Sequence, residues 1–272
     1  LIKQKVEIRG NCIKLPKLGL IKFFNSRAVE SKIKNATIRE EADGWYISLV
    51  FEGETTELES SQQNTGLDLG LNYFAVTSND ERIDNPRTYK KYEKALAILN
   101  RSRDRKKKGG SNRGKVVEKI GRLHQKIANV RKDFLDKVST KLIRENQAIV
   151  VEDLKISNLV KKAKPVLSED GKTYLKNNRK QKSGLSKSIL DSGWGIFTNM
   201  LEYKAKWYGR TFVKVAPQYT SRDCSNCNYR LEKLALSIRE WQCPECNTIH
   251  HRDHNASINI LNKWRLGESP EA

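Results

Sequence analysis

The stretch Gly66-Leu67-Asp68-Leu69-Gly70-Leu71-Asn72-Tyr73-Phe74-Ala75-Val76-Thr77-Ser78 reads as a buried strand, a tight turn and a second strand, with one aspartate set among apolar neighbours. An acid in the middle of such a strand is costly unless it is paired or holds a metal. Two further acids stand at comparable points. Ala148 to Val151 is a short apolar run, suited to a buried central strand, and it ends at Glu152, with Asp153 beside it as an alternative. Asp253 stands at the start of the last helical stretch, which runs from about His254 to Leu266 with Ile258, Leu261 and Trp264 inward. Taken singly, each has a structural explanation: Asp253 suits an N-cap and Glu152 a strand end. Taken together they give an order of Asp on a first strand, Glu at the end of a later strand and Asp on a C-terminal helix. Adjacent strands of one sheet bring such groups within reach of two cations ~3.5–4 Å apart, an arrangement that hydrolyses phosphodiesters.

Around these segments the pattern alternates between β and α. Val6 and Ile8, and then Trp45, Ile47, Leu49 and Phe51, alternate with polar residues, and Asp43-Gly44 is a hairpin turn signal. From Thr88 to Asn146 the period becomes helical, broken by Gly109-Gly110-Ser111-Asn112-Arg113-Gly114 into two arms of a helical hairpin. Val116, Ile120, Leu123, Ile127, Val130, Phe134, Val138 and Leu142 mark the apolar stripe of the second arm. Leu159 to Lys187 is Lys-rich and poor in apolar residues, as expected of an insertion or lid. Ser188 to Gly209 reads as one helix and Thr211 to Val215 as a strand.

The chain carries 52 Lys plus Arg against 32 Asp plus Glu, a formal net charge of +20. That surplus repels itself and favours a polyanionic partner, because neutralising phosphates releases condensed counterions. Arg101, Arg103, Arg105, Lys106, Lys107, Lys108 and Arg252 are the basic residues expected along nucleic acid. No apolar run approaches the ~18 residues of a spanning helix, so a cytoplasmic protein with no membrane association is expected.

Four of the five cysteines form Cys224-x2-Cys227-x15-Cys243-x2-Cys246. Each CxxC pair aims two thiolates at one point, and two pairs complete the tetrahedron that Zn²⁺ prefers, a closed structural site. With that shell full, His250, His251 and His254 are expected to be phosphate contacts or surface residues. Cys12 is expected to be a small buried apolar residue.

Gly66-Leu-Asp-Leu-Gly-Leu71, Val150-Val-Glu-Asp-Leu154, Thr220-Ser-Arg-Asp-Cys-Ser-Asn-Cys227 and Arg252-Asp-His-Asn-Ala256 together resemble the TnpB family of insertion-sequence proteins, as do Asn85-Pro-Arg87 and Ser192-Gly-Trp-Gly195. The resemblance implies an α/β fold of the RNase H-like (RuvC) type: a mixed sheet with flanking helices, an inserted helical hairpin and zinc ribbon, preceded by a partial β-barrel. It implies a wedge-like β domain over 1–63, a nuclease core over 64–220 resumed at 250–266, a zinc ribbon over 221–249 and a tail over 267–272. It further implies that Asp68, Glu152 and Asp253 hold catalytic Mg²⁺ or Mn²⁺, and that the partners are DNA and a guide RNA from the transposon end. Family members carry a longer N-terminal region, with a helical recognition lobe, where this chain has 67 residues before Asp68, so an N-terminally truncated member is expected.

Three readings of function follow. The first is an RNA-guided DNA endonuclease working with two metal ions. The second, from a different class, is a nucleic-acid-binding protein without cleavage, a truncated or regulatory derivative. The third is a structure-specific resolvase acting without RNA. Nothing singles out a tyrosine for covalent strand transfer, so joining of DNA ends is not expected.

Overall fold

A computed structural model describes residues 6–26, 31–53 and 55–267. The chain divides into two compact units, Leu1–Thr56 with Leu99–Gln125, and Glu57–Ile98 with Lys126–Ala272. The expected tail falls outside the described residues apart from Gly267.

In the first unit, β1 (Glu7–Arg9), β2 (Cys12–Leu15) and β3 (Gly19–Lys22) form an antiparallel meander. β4 (Ile33–Glu41) and β5 (Gly44–Phe51) form a separate hairpin that turns at Ala42-Asp43. No closed barrel forms among the described residues, because these are two separate sheets. Cys12 is only half-buried, and Ile13 and Leu15 fill the interior instead. The tip of the helical hairpin also belongs to this unit. α1 (Thr88–Asp104) ends there and α2 (Ser111–Glu145) begins, with the Arg113 guanidinium donating to the Arg103 carbonyl at 2.7 Å. The break between the arms spans residues 105–110 and so lies earlier than the glycine-rich run suggests. Gly109, at φ 78°, makes the turn, and Asn112, Arg113 and Gly114 are already helical.

The second unit is built on a five-stranded sheet of order β10-β9-β6-β7-β8. β6 (Asn64–Leu69), β7 (Tyr73–Thr77) and β8 (Arg82–Asp84) form an antiparallel meander. β9 (Ala148–Glu152) and β10 (Thr211–Val215) add in parallel on the other side of β6. Between those two strands lie α3 (Ile156–Leu159), α4 (Arg179–Ser192) and α5 (Trp194–Trp207); after β10 come β11 (Glu240–Gln242), β12 (Ile249–His251) and α6 (Arg252–Arg265). Successive residues of a strand face opposite ways, so each face gathers its own set. One face sends Leu67, Leu69, Ile149 and Val151 against α2, α4 and α5, where Leu135, Leu142, Ile143, Ile189, Phe197 and Leu201 complete the main core. At its centre the Phe74 ring meets Phe134 and Phe197 edge-on, at 5.1 and 4.9 Å between centroids. The other face packs Val150 and Val215 against Ile260 and Leu261 of α6.

Two helix expectations change. The polar run before Lys187 is not all loop, since α4 already begins at Arg179, where helix-favouring residues need no apolar stripe. The single helix expected over 188–209 is two, because Gly193 takes φ 72° and breaks the hydrogen-bond ladder between α4 and α5. On α2 the expected stripe is buried or half-buried at every position except Val130, which is exposed, and Leu135, Ser139 and Ile143 add to the inward face.

Gly66 fixes the seat of α6. A Cβ there would lie 2.2 Å from the Ser257 carbonyl oxygen and 2.7 Å from the Leu261 nitrogen. These are backbone atoms of α6 and cannot step aside as a side chain would. Gly66→Ala is therefore expected to cost about 3 kcal/mol and to lower Tm by about 6–12 °C. Thermal unfolding followed by circular dichroism checks it, and an unchanged Tm would show that α6 is not seated this tightly.

Candidate active site and zinc centre

The close approach at Gly66 also aims the acids. Gly66 pairs with Val150 and Leu67 with Val151 in the parallel register of β6 and β9, so Asp68 and Glu152 follow as neighbours at the C-terminal ends of the two strands. Asp68 lies two residues after Gly66 and Glu152 two after Val150, which puts both carboxylates on the face that α6 covers. Asp253 lies four residues, about one helical turn, before Ser257, the residue that touches Gly66. The three expected acids thus share one face at one end of the sheet. Asp153 points the other way and its carboxylate is held by Lys155 at 2.5 Å, which separates it from Glu152. Asp253 is not the N-cap of α6. That position is His251, and Asp253 stands in the first turn, where the helix dipole favours a negative charge.

The electrostatics bear the marks of crowding. Burial pushes the Asp68 carboxyl well above its ordinary range, and the neighbouring charges of Glu152 and Asp253 push it further, with Arg252 and Arg239 opposing. Burial also raises Glu152, against a hydrogen bond from Thr220 and the charge of Lys263. The Thr220 hydroxyl donates to Glu152 Oε1 at 2.6 Å, and Arg239 donates to Asp253 Oδ1 at 3.1 Å. Neither Thr220 nor Arg239 was singled out by spacing. Thr220 lies inside the block that precedes Cys224, and that adjacency was its only signal.

The four zinc-ribbon cysteines converge. Their sulfurs all lie within 4.8 Å of one another, with Cys224–Cys246 and Cys227–Cys243 both at 3.6 Å. A tetrahedron with metal–sulfur bonds of about 2.3 Å has sulfur–sulfur edges close to that length, whereas a disulfide is far shorter. The cluster is a structural zinc site of the four-cysteine type, held between the first knuckle and the hairpin of β11 and β12. His250 corrects its expectation. It is buried, stacks on Trp241 with centroids 4.7 Å apart, and places Nε2 3.0 Å from Cys224 Sγ. The histidine ring packs here because the shell of four thiolates leaves it an outer position, as hydrogen-bond partner and not as ligand. His254 reaches the Ser78 carbonyl at 3.2 Å and His251 is half-buried.

Arg252 stands in the first turn of α6, beside Asp253, and donates to the Ala235 carbonyl at 2.9 Å. Arg101 and Arg103 end α1, and Arg105, Lys106, Lys107 and Lys108 form the connection to α2, all in the first unit.

Family models match both halves of this arrangement. Residues 48–163 match a family described as "Probable transposase", and residues 194–260 match one described as "Cas12f1-like, TNB domain". The chain belongs to the TnpB (OrfB) family. "Putative RNA-guided DNA endonuclease InsQ" of Escherichia coli K12 is 38% identical over 258 residues, which is 94% of this chain and 63% of that protein. A "Putative RNA-guided DNA endonuclease" of Streptomyces pristinaespiralis is 37% identical over 82% of this chain and 50% of its own length. The chain spans about half to two thirds of the length of these curated relatives. In the cryo-EM structure of a Cas12f1–sgRNA–target DNA complex, the Cas12f1 chain shares the fold with a TM-score of 0.50 at 18% identity, over 84% of this chain and 55% of that one. The mixed sheet with helices on both faces is accordingly of the RuvC-like kind. No helix among the described residues is long and apolar enough to cross a membrane.

Proposed function

We propose that this TnpB chain carries the nuclease centre of an RNA-guided DNA endonuclease, and that Asp68, Glu152 and Asp253 hold divalent cations for phosphodiester hydrolysis. The observation that carries the reading is that Asp68 and Glu152 stand side by side on the sheet face that α6 covers, with Asp253 in the first turn of α6 close enough for its charge to act on Asp68. A carboxyl driven upward by burial and then by its acidic neighbours is one that a cation relieves. The donor atoms are carboxylate oxygens, which suit Mg²⁺ or Mn²⁺ better than soft metals. Bound there, two such cations would supply an activated water and would stabilise a departing 3′-oxygen. The protein's own part is to hold the carboxylates in register: β6 and β9 fix Asp68 and Glu152, and α6 carries Asp253 over them. Arg239 and Arg252 bring positive charge to the same rim, where a DNA phosphate approaches.

The relatives named as RNA-guided endonucleases and the Cas12f1 complex with guide and target support DNA and RNA as partners. The guide is read as a transposon-end RNA, the basic residues Arg101 to Lys108 as backbone contacts, and the place of action as the cytoplasm. The test is incubation of the purified chain with single-stranded DNA and Mg²⁺ or Mn²⁺, with and without EDTA. Metal-dependent products are expected. Salt-sensitive binding with no products in any metal would replace this reading with that of a nucleic-acid binder without cleavage, which the +20 charge alone would explain.

A further inference from the structure

We infer that Thr220 is a positioning residue for Glu152, and that it holds the carboxylate in place by tying it to the first zinc knuckle and to α6. The inference rests on the proposed role of Glu152 as a cation ligand. Thr220 is buried and its hydroxyl donates to Glu152 Oε1 at 2.6 Å. A carboxylate at the end of a strand swings about its side-chain bonds, and one short hydrogen bond from a rigid donor removes most of that freedom.

The donor is rigid because its backbone is fixed from three directions. Tyr219, the residue before it, adopts φ 65°, a left-handed conformation that a tyrosine takes only when its surroundings impose it. The Tyr219 carbonyl accepts from the backbone nitrogens of Arg222 and Asp223, which closes a tight turn around Thr220. The side-chain amide of buried Asn259 donates to the Thr220 carbonyl at 2.8 Å and to the Asp223 carbonyl at 2.6 Å. Asn255 donates to the same Asp223 carbonyl at 2.8 Å and accepts from the Ser225 backbone nitrogen at 2.9 Å. Both asparagines belong to α6, the helix that carries Asp253, and Asp223 immediately precedes Cys224. The Tyr219–Ser225 turn is therefore held by α6 and by the zinc knuckle together, and its one side-chain link to the acids is the Thr220 hydroxyl. Glu152 on the sheet and Asp253 on α6 are thereby kept in mutual register.

Thr220→Val and Thr220→Ala remove the donor, and Thr220→Ser keeps it. Mn²⁺ binding is measured by electron paramagnetic resonance of the free ion, beside zinc content for each variant and Asp68→Ala as a control. Loss of an outer hydrogen-bond partner weakens a metal site by about 10–100-fold. The expected result is that weakening in Val and Ala, with zinc fully retained, and an affinity within about 2-fold of wild type in Ser, below the range such a loss produces. Wild-type Mn²⁺ affinity in either donor-free variant would overturn the inference. So would loss of zinc in both, since Thr220 would then serve the ribbon and not Glu152. If Asp68→Ala binds Mn²⁺ as tightly as wild type, the carboxylate site itself is wrong, a failure distinct from that of Thr220.

Discussion

Asp68→Asn is expected to abolish metal-dependent DNA cleavage and, in the same protein without metal, to raise Tm. The two effects have one cause. Asp68 is held beside Glu152 and Asp253 on a face covered by α6, and both burial and those charges penalise its ionised form. An amide of the same shape removes the penalty and the ligand together. Loss of a single transition-state donor costs about 10²–10³-fold in rate, and loss of a ligand at the centre of a shared cation site is expected to cost at least about as much. The gain in stability is about 2–4 °C for each kcal/mol of repulsion relieved.

The pH dependence gives a second reading of the same group. In the folded chain the Asp68 carboxyl titrates above its ordinary value of 3.8, so between that value and its raised one the folded state binds more protons than the unfolded. Stability contributed by this group is present at low pH and declines as pH rises through that window. Glu152, also raised from 4.5, adds in the same direction. The metal-free wild type should lose Tm across this range, and Asp68→Asn should lose less. Cations bind only the ionised carboxylates, so the Tm gained on adding Mn²⁺ should grow with pH over the same window. Thermal scans from acid to neutral pH, with and without Mn²⁺, check the sign. Equal slopes in wild type and variant would remove Asp68 from the cluster.

Much of this centre was legible in the sequence, and the reasons are physical. An aspartate inside Gly66–Leu69 contradicts the apolar rule of a buried strand, so the contradiction itself marked it. Glu152 stood out at the end of a fully apolar run, and two CxxC pairs at that spacing leave little else to do than hold a metal. The rest depended on which residues meet across the fold. Glu152 and Asp153 are indistinguishable in a one-dimensional pattern, and only the register with β6 assigns their faces. Gly66 reads as a turn or strand residue until α6 is seen lying on it. Thr220, Asn255, Asn259 and His250 are ordinary polar residues whose partners lie far away in sequence, and no periodicity reports such pairs. The first unit was legible as strands. Its division into a meander and a separate hairpin was not, because alternation marks strands without saying which pair.

Removing zinc is expected to unfold the ribbon and to take the carboxylate site with it, while the main core stays folded. The ribbon's own apolar inventory is small: Cys224, Trp241 and Cys243 are buried, and Leu231 and Leu234 are only partly so. Two of those three buried groups are the metal's own ligands, so without the ion there is too little core to oppose chain entropy. Apparent binding energies of structural zinc reach about 10–16 kcal/mol, comparable to the whole net stability of a domain. Cys243→Ala, or chelation, should therefore cost hydrogen-exchange protection first at β11, β12 and the Cys224–Asn228 knuckle. The loss should spread to the first turns of α6, because Asn255 and Asn259 hold their partners only while that knuckle is closed. Amides of β6, β9 and α5 belong to a core of Leu67, Ile149, Val151, Phe197 and Leu201 on the opposite face and should remain protected. Mn²⁺ affinity should fall in step with the exchange at α6, since Asp253 stands on the turn that loosens. A zinc-free protein whose α6 amides stay protected would separate the two metal sites and leave the ribbon as a module that serves only its own fold.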